Sequence, residues 1–181
     1  ATAGVTSAGH NAMELIAKST DVKYRHVTYD GGNPAVVATV AGETEVTTQL
    51  AVEQADMIRG KRIRPLATVS DKALELEGFG PIEPLSKTLP GFKAPANYFG
   101  IFIPKGVPDE VVKTVEKIWV DNISKSEVLK KYATSRGALF APLHGAEAQT
   151  AVTPAIQANA WLLFDSGKAK VSPETLGIAR P

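Results

Sequence analysis

Between Lys23 and Ser70 the sequence alternates short β-prone runs with short helical ones, separated by glycine or proline turns. KYRHVTY, residues 23–29, reads as a strand; DGGNP is a turn; PAVVATVAG is a short apolar helix ending near Gly42. ETEVTTQ, residues 43–49, alternates and is rich in threonine, a good strand former. Val52 to Arg59 reads as a helix stopped by Gly60, and IRPLATVS, residues 63–70, as a mostly apolar strand. Pro65 argues there against a fully paired central position, or for a bulge. Strands alternating with helices point to βαβ units and a parallel sheet, so the expected fold class is α/β.

A loop, AGVTSAGHN (Ala3 to Asn11), precedes this region and feeds a helix over about Ser7 to Ser19, with Ala12, Met13, Ile16 and Ala17 as its apolar stripe. Such a loop usually follows a strand. Only Ala1, Thr2 and Ala3 come before Gly4, fewer than the roughly 5 residues of a typical strand. The expectation is a chain that starts part-way through a larger protein. Residues 71–97, with Pro81, Pro84, Pro90 and Pro95, read as an irregular excursion holding a short helix near Ile82 to Lys87. NYFGIFIP, residues 97–104, reads as an apolar strand. KGVPDE then opens a helix whose buried face is Val111, Val112, Val115, Ile118, Trp119 and Ile123. SEVLKKYATSRG is a helix from Ser126 closed by Gly137, Ala138 to Ala141 a short strand, and Glu147 to Phe164 a helix interrupted or started near Pro154. The last residues, SGKAKVSPETLGIARP, lack periodicity and read as a loop or loosely packed tail.

The net charge of +1 offers no global field for nucleic acid or an anionic membrane. The absence of cysteine excludes disulfides, thiolate metal sites and cysteine nucleophiles. No apolar run approaches the roughly 20 residues of a membrane-spanning helix, and no signal-peptide pattern is visible.

Gly4 and Gly9 have the spacing of a nucleotide-binding P-loop, but His10 and Asn11 stand where that motif needs Lys and then Ser or Thr. A helix start still favours anions through its open N–H groups and partial positive charge. Thr6 and Ser7 add hydroxyls and His10 a ring donor, with charge when protonated. The set suits a carboxylate better than a nucleotide; a plain helix cap is the competing reading. YDGGNP, Tyr29 to Pro34, sits between strand and helix, and Thr47, Thr48 and Gln49 end the next strand. In a parallel sheet these loops share the edge where α/β proteins bind ligands; a tight turn and a half-exposed strand are the plain alternatives. RGKRIR, Arg59 to Arg64, has no interleaved aromatic residue and reads as a solvated turn. His10, His26 and His144 share no metal-ligand spacing, and no catalytic triad or paired carboxylates can be placed.

Taken together, AGVTSAGH, HVTYDGGNPAVVATVAGE, RGKRIRPLATVSDKAL and LPGFKAPANYFGIFIPKGVPDEVV resemble one family, the substrate-binding components of tripartite tricarboxylate transporters, the TctC or Bug proteins. SEVLKKYATSRGALFAP fits the helix and strand that follow, so the similarity spans most of residues 1–141. The resemblance implies a type II periplasmic binding protein-like fold of two α/β lobes. Residues 1–98 would form the second lobe, and residues 99–181 a hinge return strand and the C-terminal helical part of the first. The first half of the first lobe has no counterpart in the sequence, so residues 105–181 would need a cover, from a second chain or another copy.

The resemblance further implies a periplasmic solute-binding protein that hands a small organic carboxylate to the membrane subunits of a transporter, without enzymatic activity, metal or cofactor. Gly4, Thr6, Ser7, Ala8 and Gly9 would supply donors, and His10 would orient the loop or contribute charge. Tyr29, Gly31 and Gly32 would line the cleft, and Thr48 and Gln49 would read the ligand's other end. A ligand-sensing effector-binding domain of the same fold is the alternative function. Two departures stand out: Thr6 lies where the family commonly has glycine, and Thr48 and Gln49 lie where it often has Asp-Ser.

Overall fold

The first helix starts where its cap is. Ser7 is extended (φ −62°, ψ 160°), and its Oγ accepts from the His10 N–H at 3.3 Å, satisfying one of the donors a helix start leaves open. Helix α1, Ala8–Thr20, follows. Helix α2, Gly32–Val40, begins after Gly31, whose φ of 116° is open to glycine but not to ordinary side chains. In α3, Ala51–Arg59, Glu53 folds back to accept from the Leu50 N–H at 3.2 Å, and Gly60 closes the helix. These observations come from a computed structural model that describes residues 1–93 and 97–181.

The segments leading into these three helices lie side by side. Ala1 N donates to Val46 O at 2.5 Å, and the Thr48 N–H donates to Ala1 O at 3.3 Å. On the other side the Thr2 N–H donates to Val27 O at 3.1 Å and the Tyr29 N–H to Thr2 O at 3.0 Å. Both sets have the pattern of a parallel pair, and Thr2 and Thr28 form a parallel bridge. The order across is therefore 46–48, 1–2, 27–29, and α1, α2 and α3 all begin at one edge. The parallel α/β reading holds, but the expected strand 23–29 is reduced to one bridge and the expected strand 43–49 to two backbone hydrogen bonds with Ala1. Only Ala1 and Thr2 lie between them, so pairing runs for about one residue on each side.

Close backbone approach fixes this layer. A Cβ on Gly9 would stand 1.8 Å from the Thr48 carbonyl oxygen, and one on Gly32 would stand 2.1 Å from the Glu53 carboxylate. Ala12 of α1 and Ala35, Val36 and Ala38 of α2 are buried nearby. A second core forms beside α3. Strands β1, Leu74–Leu76, and β2, Gly80–Ile82, pair antiparallel, and Leu76 and Ile82 bury against Ala55 and Ile58. The expected irregular excursion thus contains a hairpin. Its proline content hides the inward set Leu74, Leu76 and Ile82, and Pro81 is tolerated because the sheet has only two strands. The short helix expected near Ile82 to Lys87 is one 3-10 turn, Leu85–Lys87. Residues 63–70 pair only at Thr68, with Pro84. Residues 94–96 of the expected excursion lie outside the described residues.

The C-terminal half departs further. Residues 97–104, expected as a strand, have no strand partner among the described residues; Phe99, Ile101 and Phe102 are 76%, 69% and 75% exposed. Helix α4, Asp109–Ile118, runs into a π turn, Trp119–Ile123. Its apolar face, expected to be buried, has Val111, Val112 and Ile118 exposed. An apolar stripe is buried only where something packs on it, and the described residues supply no cover here. Residues 138–141 form no strand, and Leu139 is 89% exposed.

Two elements do return to the N-terminal unit. Helix α5, Glu127–Ser135, is capped by Ser126 and brings Arg136 to Asp56 at 3.0 Å. Helix α6, Gly145–Asp165, runs through Pro154 without the expected break and lies against α1, where Asn11 Nδ2 donates to Asn159 Oδ1 at 3.1 Å. The tail is better packed than expected. Trp161 Nε1 donates to Ile178 O at 3.2 Å, Pro173 is buried, and the Arg180 guanidinium lies 3.9 Å over the Trp161 ring while pairing with Asp165.

Replacing Gly9 by Ala should lower the stability by about 1–3 kcal/mol, because the new methyl meets backbone that cannot rotate away. Leu76→Ala should cost about 2–5 kcal/mol. Urea denaturation measures both, and an unchanged Gly9→Ala midpoint would show that α1 does not lie on residues 46–48.

Candidate functional site

The shared edge gathers the loops singled out from the sequence. In the first loop Gly4 has φ 139° and Thr6 has φ 70°. Left-handed backbone costs an ordinary residue about 1–2 kcal/mol and suits a β-branched one poorly. That gives a physical reason for glycine at this position, and Thr6 holds the conformation through its backbone. Its N–H donates to His10 Nδ1 at 2.9 Å. Ser7 takes the His10 N–H, leaving those of Ala8 and Gly9 at the head of α1.

His10 is only 1% exposed. With Nδ1 accepting, the neutral ring carries its proton on Nε2, which faces Glu14 Oε1 at 3.3 Å and the Lys168 ammonium at 2.9 Å. Lys168 pairs with the same Glu14 oxygen at 2.7 Å, and Tyr24 OH donates to it at 2.5 Å. The His26 ring stacks on His10 at 4.1 Å, and its Nε2 meets Thr2 Oγ1 at 2.5 Å. Burial, then the Lys168 ammonium, holds the His10 imidazole below its usual range. Burial and the neighbouring His10 do the same for His26. Burial works against ionised Glu14, yet the bonds from Lys168 and Tyr24 bring its carboxyl below the ordinary range. Burial and the Glu14 carboxylate push the Tyr24 phenol up. His10 was expected to orient the loop or to lend charge. The enclosed ring takes the Thr6 N–H, and burial disfavours its charged form.

The other expected residues are placed as follows. Tyr29 gives its backbone N–H to Thr2 and its hydroxyl to Glu43 Oε2 at 3.1 Å. Gly31 makes the turn into α2, donating to Tyr29 O at 2.9 Å, and Gly32 is backed by Glu53. Thr48 Oγ1 donates to Gly9 O at 3.0 Å. The Gln49 amide, with its oxygen toward Ala3, accepts from the Ala3 N–H at 2.8 Å and donates to Glu53 Oε2 at 3.1 Å. Thr48 and Gln49, expected to read a ligand, use these groups to tie the first loop to the third. Glu14, Tyr24, Glu53 and Lys168 were not anticipated. Glu14 lies four residues after His10 on one helix face, a spacing the sequence displays; Lys168 is 158 residues away and carries no local signal. Among the described residues no cluster of His, Cys, Asp or Glu could hold a metal ion, and no helix is long and apolar enough to cross a membrane.

Parallel segments with helix heads gathered on one edge define an α/β protein, a class in which ligands commonly bind at that edge. More particularly, the chain belongs to the tripartite tricarboxylate transporter family receptors, whose family model matches residues 1–150. It is similar to a UPF0065 protein in the tcbD-tcbE intergenic region of a Pseudomonas species, with 35% identity over 114 residues, 62% of this chain and 33% of that protein. A UPF0065 protein in the clcB-clcD intergenic region of Pseudomonas knackmussii is 28% identical over 132 residues, 72% of this chain and 77% of that protein. Among solved structures, R. palustris Rpa4515 with adipate superposes with a TM-score of 0.69 at 22% identity, covering 97% of this chain and 54% of that one. The likeness bears out the periplasmic binding protein-like fold class. The chain spans about half of that solved chain and a third of the first relative.

Two measurements test this geometry. Thr6→Gly should raise stability by about 0.5–1 kcal/mol, as relief of left-handed strain outweighs the added freedom of the unfolded chain; a loss would place Thr6 outside that conformation. The lowered His10 and His26 values mean that the folded state binds fewer protons than the unfolded one. Their stabilisation is present above the unfolded value of about 6.5 and declines as pH falls below it, with Glu14 adding to the loss at lower pH. Melting temperature should therefore drop from pH 7.5 to 5.5, and less so in His10→Asn. An equal drop in both proteins would remove His10 from the account.

Proposed function

We propose that this chain is the ligand-holding part of an extracytoplasmic solute receptor that captures a small organic carboxylate at the head of α1. The observation that carries the proposal is the shared edge: three helix N-termini gathered there, with Gly4, Thr6, Ser7, Ala8 and Gly9 around the first. Open N–H groups and the partial positive charge of a helix start favour a carboxylate without requiring an arginine or lysine in contact. Membership of the receptor family supports the reading. So does a fold neighbour solved with adipate, a dicarboxylate.

In this reading Tyr29, Gly31 and Gly32 form the cleft wall beside the loop, and Thr48 and Gln49 keep the loop in register. Residues 1–98 are the second lobe, and residues 99–181 are the return strand and the C-terminal part of the first. Capture proceeds by closing of the lobes, a shift between open and closed populations that ligand favours by binding the closed form better. The membrane subunits of a tripartite transporter would receive the ligand, and the site of action would be the periplasm. The exposed 97–104 run and the α4 face are surfaces that the rest of such a receptor, or another copy, would cover.

Calorimetry with adipate, succinate, citrate, benzoate and glutamate tests the proposal. At least one should bind more tightly than millimolar, and Ser7→Ala should weaken it about fivefold, in line with about 1 kcal/mol for one hydrogen bond. Binding by none of the panel would reject carboxylate capture, and full affinity in Ser7→Ala would move the site away from this loop.

A further inference from the structure

A set of titratable side chains surrounds His10 at the start of α1, and its outer members, Glu14, Tyr24, His26 and Lys168, have no part in ligand capture as described. From the tail inward, Lys168 Nζ meets Glu14 Oε1 at 2.7 Å, Tyr24 OH donates to that oxygen at 2.5 Å, and His10 Nε2 faces it at 3.3 Å. The far side of the His10 ring holds the Thr6 N–H at 2.9 Å, and His26, anchored by Thr2, covers the ring face at 4.1 Å. The His10 ring and Thr2 are 1% exposed, while the Glu14 and Lys168 side chains are 20% and 33% exposed.

We infer that Lys168 and Glu14 are positioning residues for the first loop, acting through the His10 tautomer on the backbone of Thr6; the inference rests on that loop being the carboxylate site. The chemistry runs in order. Neutral imidazole has one proton and one lone pair in the ring plane. Glu14, held by Lys168 and Tyr24, stands 3.3 Å from Nε2 and favours the proton on that side, whereas the Lys168 ammonium, 2.9 Å from the same nitrogen, is itself a donor there. Lys168 therefore acts through its hold on the Glu14 carboxylate. Nδ1 is then left as an acceptor, the only state in which it can take the Thr6 N–H. That bond holds a threonine in left-handed backbone, one residue before the Ser7 cap. The Lys168 ammonium beside Nε2 also disfavours a second ring proton, which would turn Nδ1 into a donor facing a donor. Lys168 lies three residues beyond the end of α6, so the tail, remote in sequence, sets the shape of the loop.

The test has one readout without ligand and one with it. Amide hydrogen exchange in wild type, Lys168→Met and Lys168→Arg reads the Thr6 N–H directly. Lys168→Met should speed exchange at Thr6 at least tenfold and leave the amides of α3 unchanged, and Lys168→Arg should restore protection. Adipate affinity should fall about five- to tenfold in Lys168→Met, within the range of coupling through packed networks, and recover in Lys168→Arg. Built on Thr6→Gly, where the left-handed backbone is unstrained, the Lys168→Met penalty should shrink. An exchange rate at Thr6 that does not change, or one that rises equally across α1 and α6, overturns the inference whether or not adipate binds. Selective loss of Thr6 protection in a protein that binds none of the carboxylates would instead uphold the coupling and reject the ligand reading.

Discussion

Backbone hydrogen bonds of Ala1 and Thr2 with the segments on either side decide where the three loops at the shared edge lie. With residues 46–48 on one flank and 27–29 on the other, all parallel, three helices must start at the same edge. The bonds are few, so close packing carries much of the constraint. Gly9 lets α1 lie on the Thr48 carbonyl, and Gly32 lets α2 lie on Glu53. Neither glycine serves a left-handed turn; each serves proximity. In Gly31 and Gly4 the same residue type has the other use, that of reversing the chain. The loop region thus spends its glycines on two separate problems, approach and direction.

The layer is built so that side chains expected at the ligand are partly consumed in holding the loops to one another. Thr48 binds Gly9, Gln49 bridges Ala3 and Glu53, and Glu53 also accepts from Leu50. In the proposed carboxylate site, contact would thereby be left mainly to backbone N–H groups and to the hydroxyls of the first loop. A receptor relying on backbone donors needs those donors fixed in advance, since a mobile loop would pay its ordering entropy on binding. In that proposal the enclosed His10 would serve this end. It is a buried polar group with both ring nitrogens engaged, which satisfies the requirement on any polar side chain removed from water.

Local signals carried the reading of the three N-terminal helices, while the strands expected between them shrank to isolated pairings. Ser7 was legible as the cap region because a small hydroxyl residue precedes an apolar stripe, and Gly60 as a stop because glycine ends the periodic run. The shared edge was legible from the alternation of element types. Two kinds of feature were not. The hairpin at Leu74 to Ile82 was hidden by the prolines and glycines around it, since strands of three residues give too short a pattern to stand out. The Lys168 contact was hidden because distant pairing leaves no periodicity. In the C-terminal half the failure has another cause. Periodicity in α4 and in residues 97–104 marks apolar faces but says nothing of what packs on them, and here those faces meet solvent.

The uncovered run has a consequence for how the protein behaves as a material. Tyr98 to Ile103 is six residues of aromatic, β-branched and glycine character, without a charge and without a strand partner among the described residues. Short uncharged segments of this kind stack on copies of themselves through their free N–H and C=O groups. The sequence sets a proline on each flank, Pro95 and Pro104, followed on the far side by Lys105. Residues that cannot donate to a growing ladder, and a charge that repels its own copies, bound the adhesive stretch and limit filament growth. The same few residues that await a cover are therefore fenced against finding the wrong one.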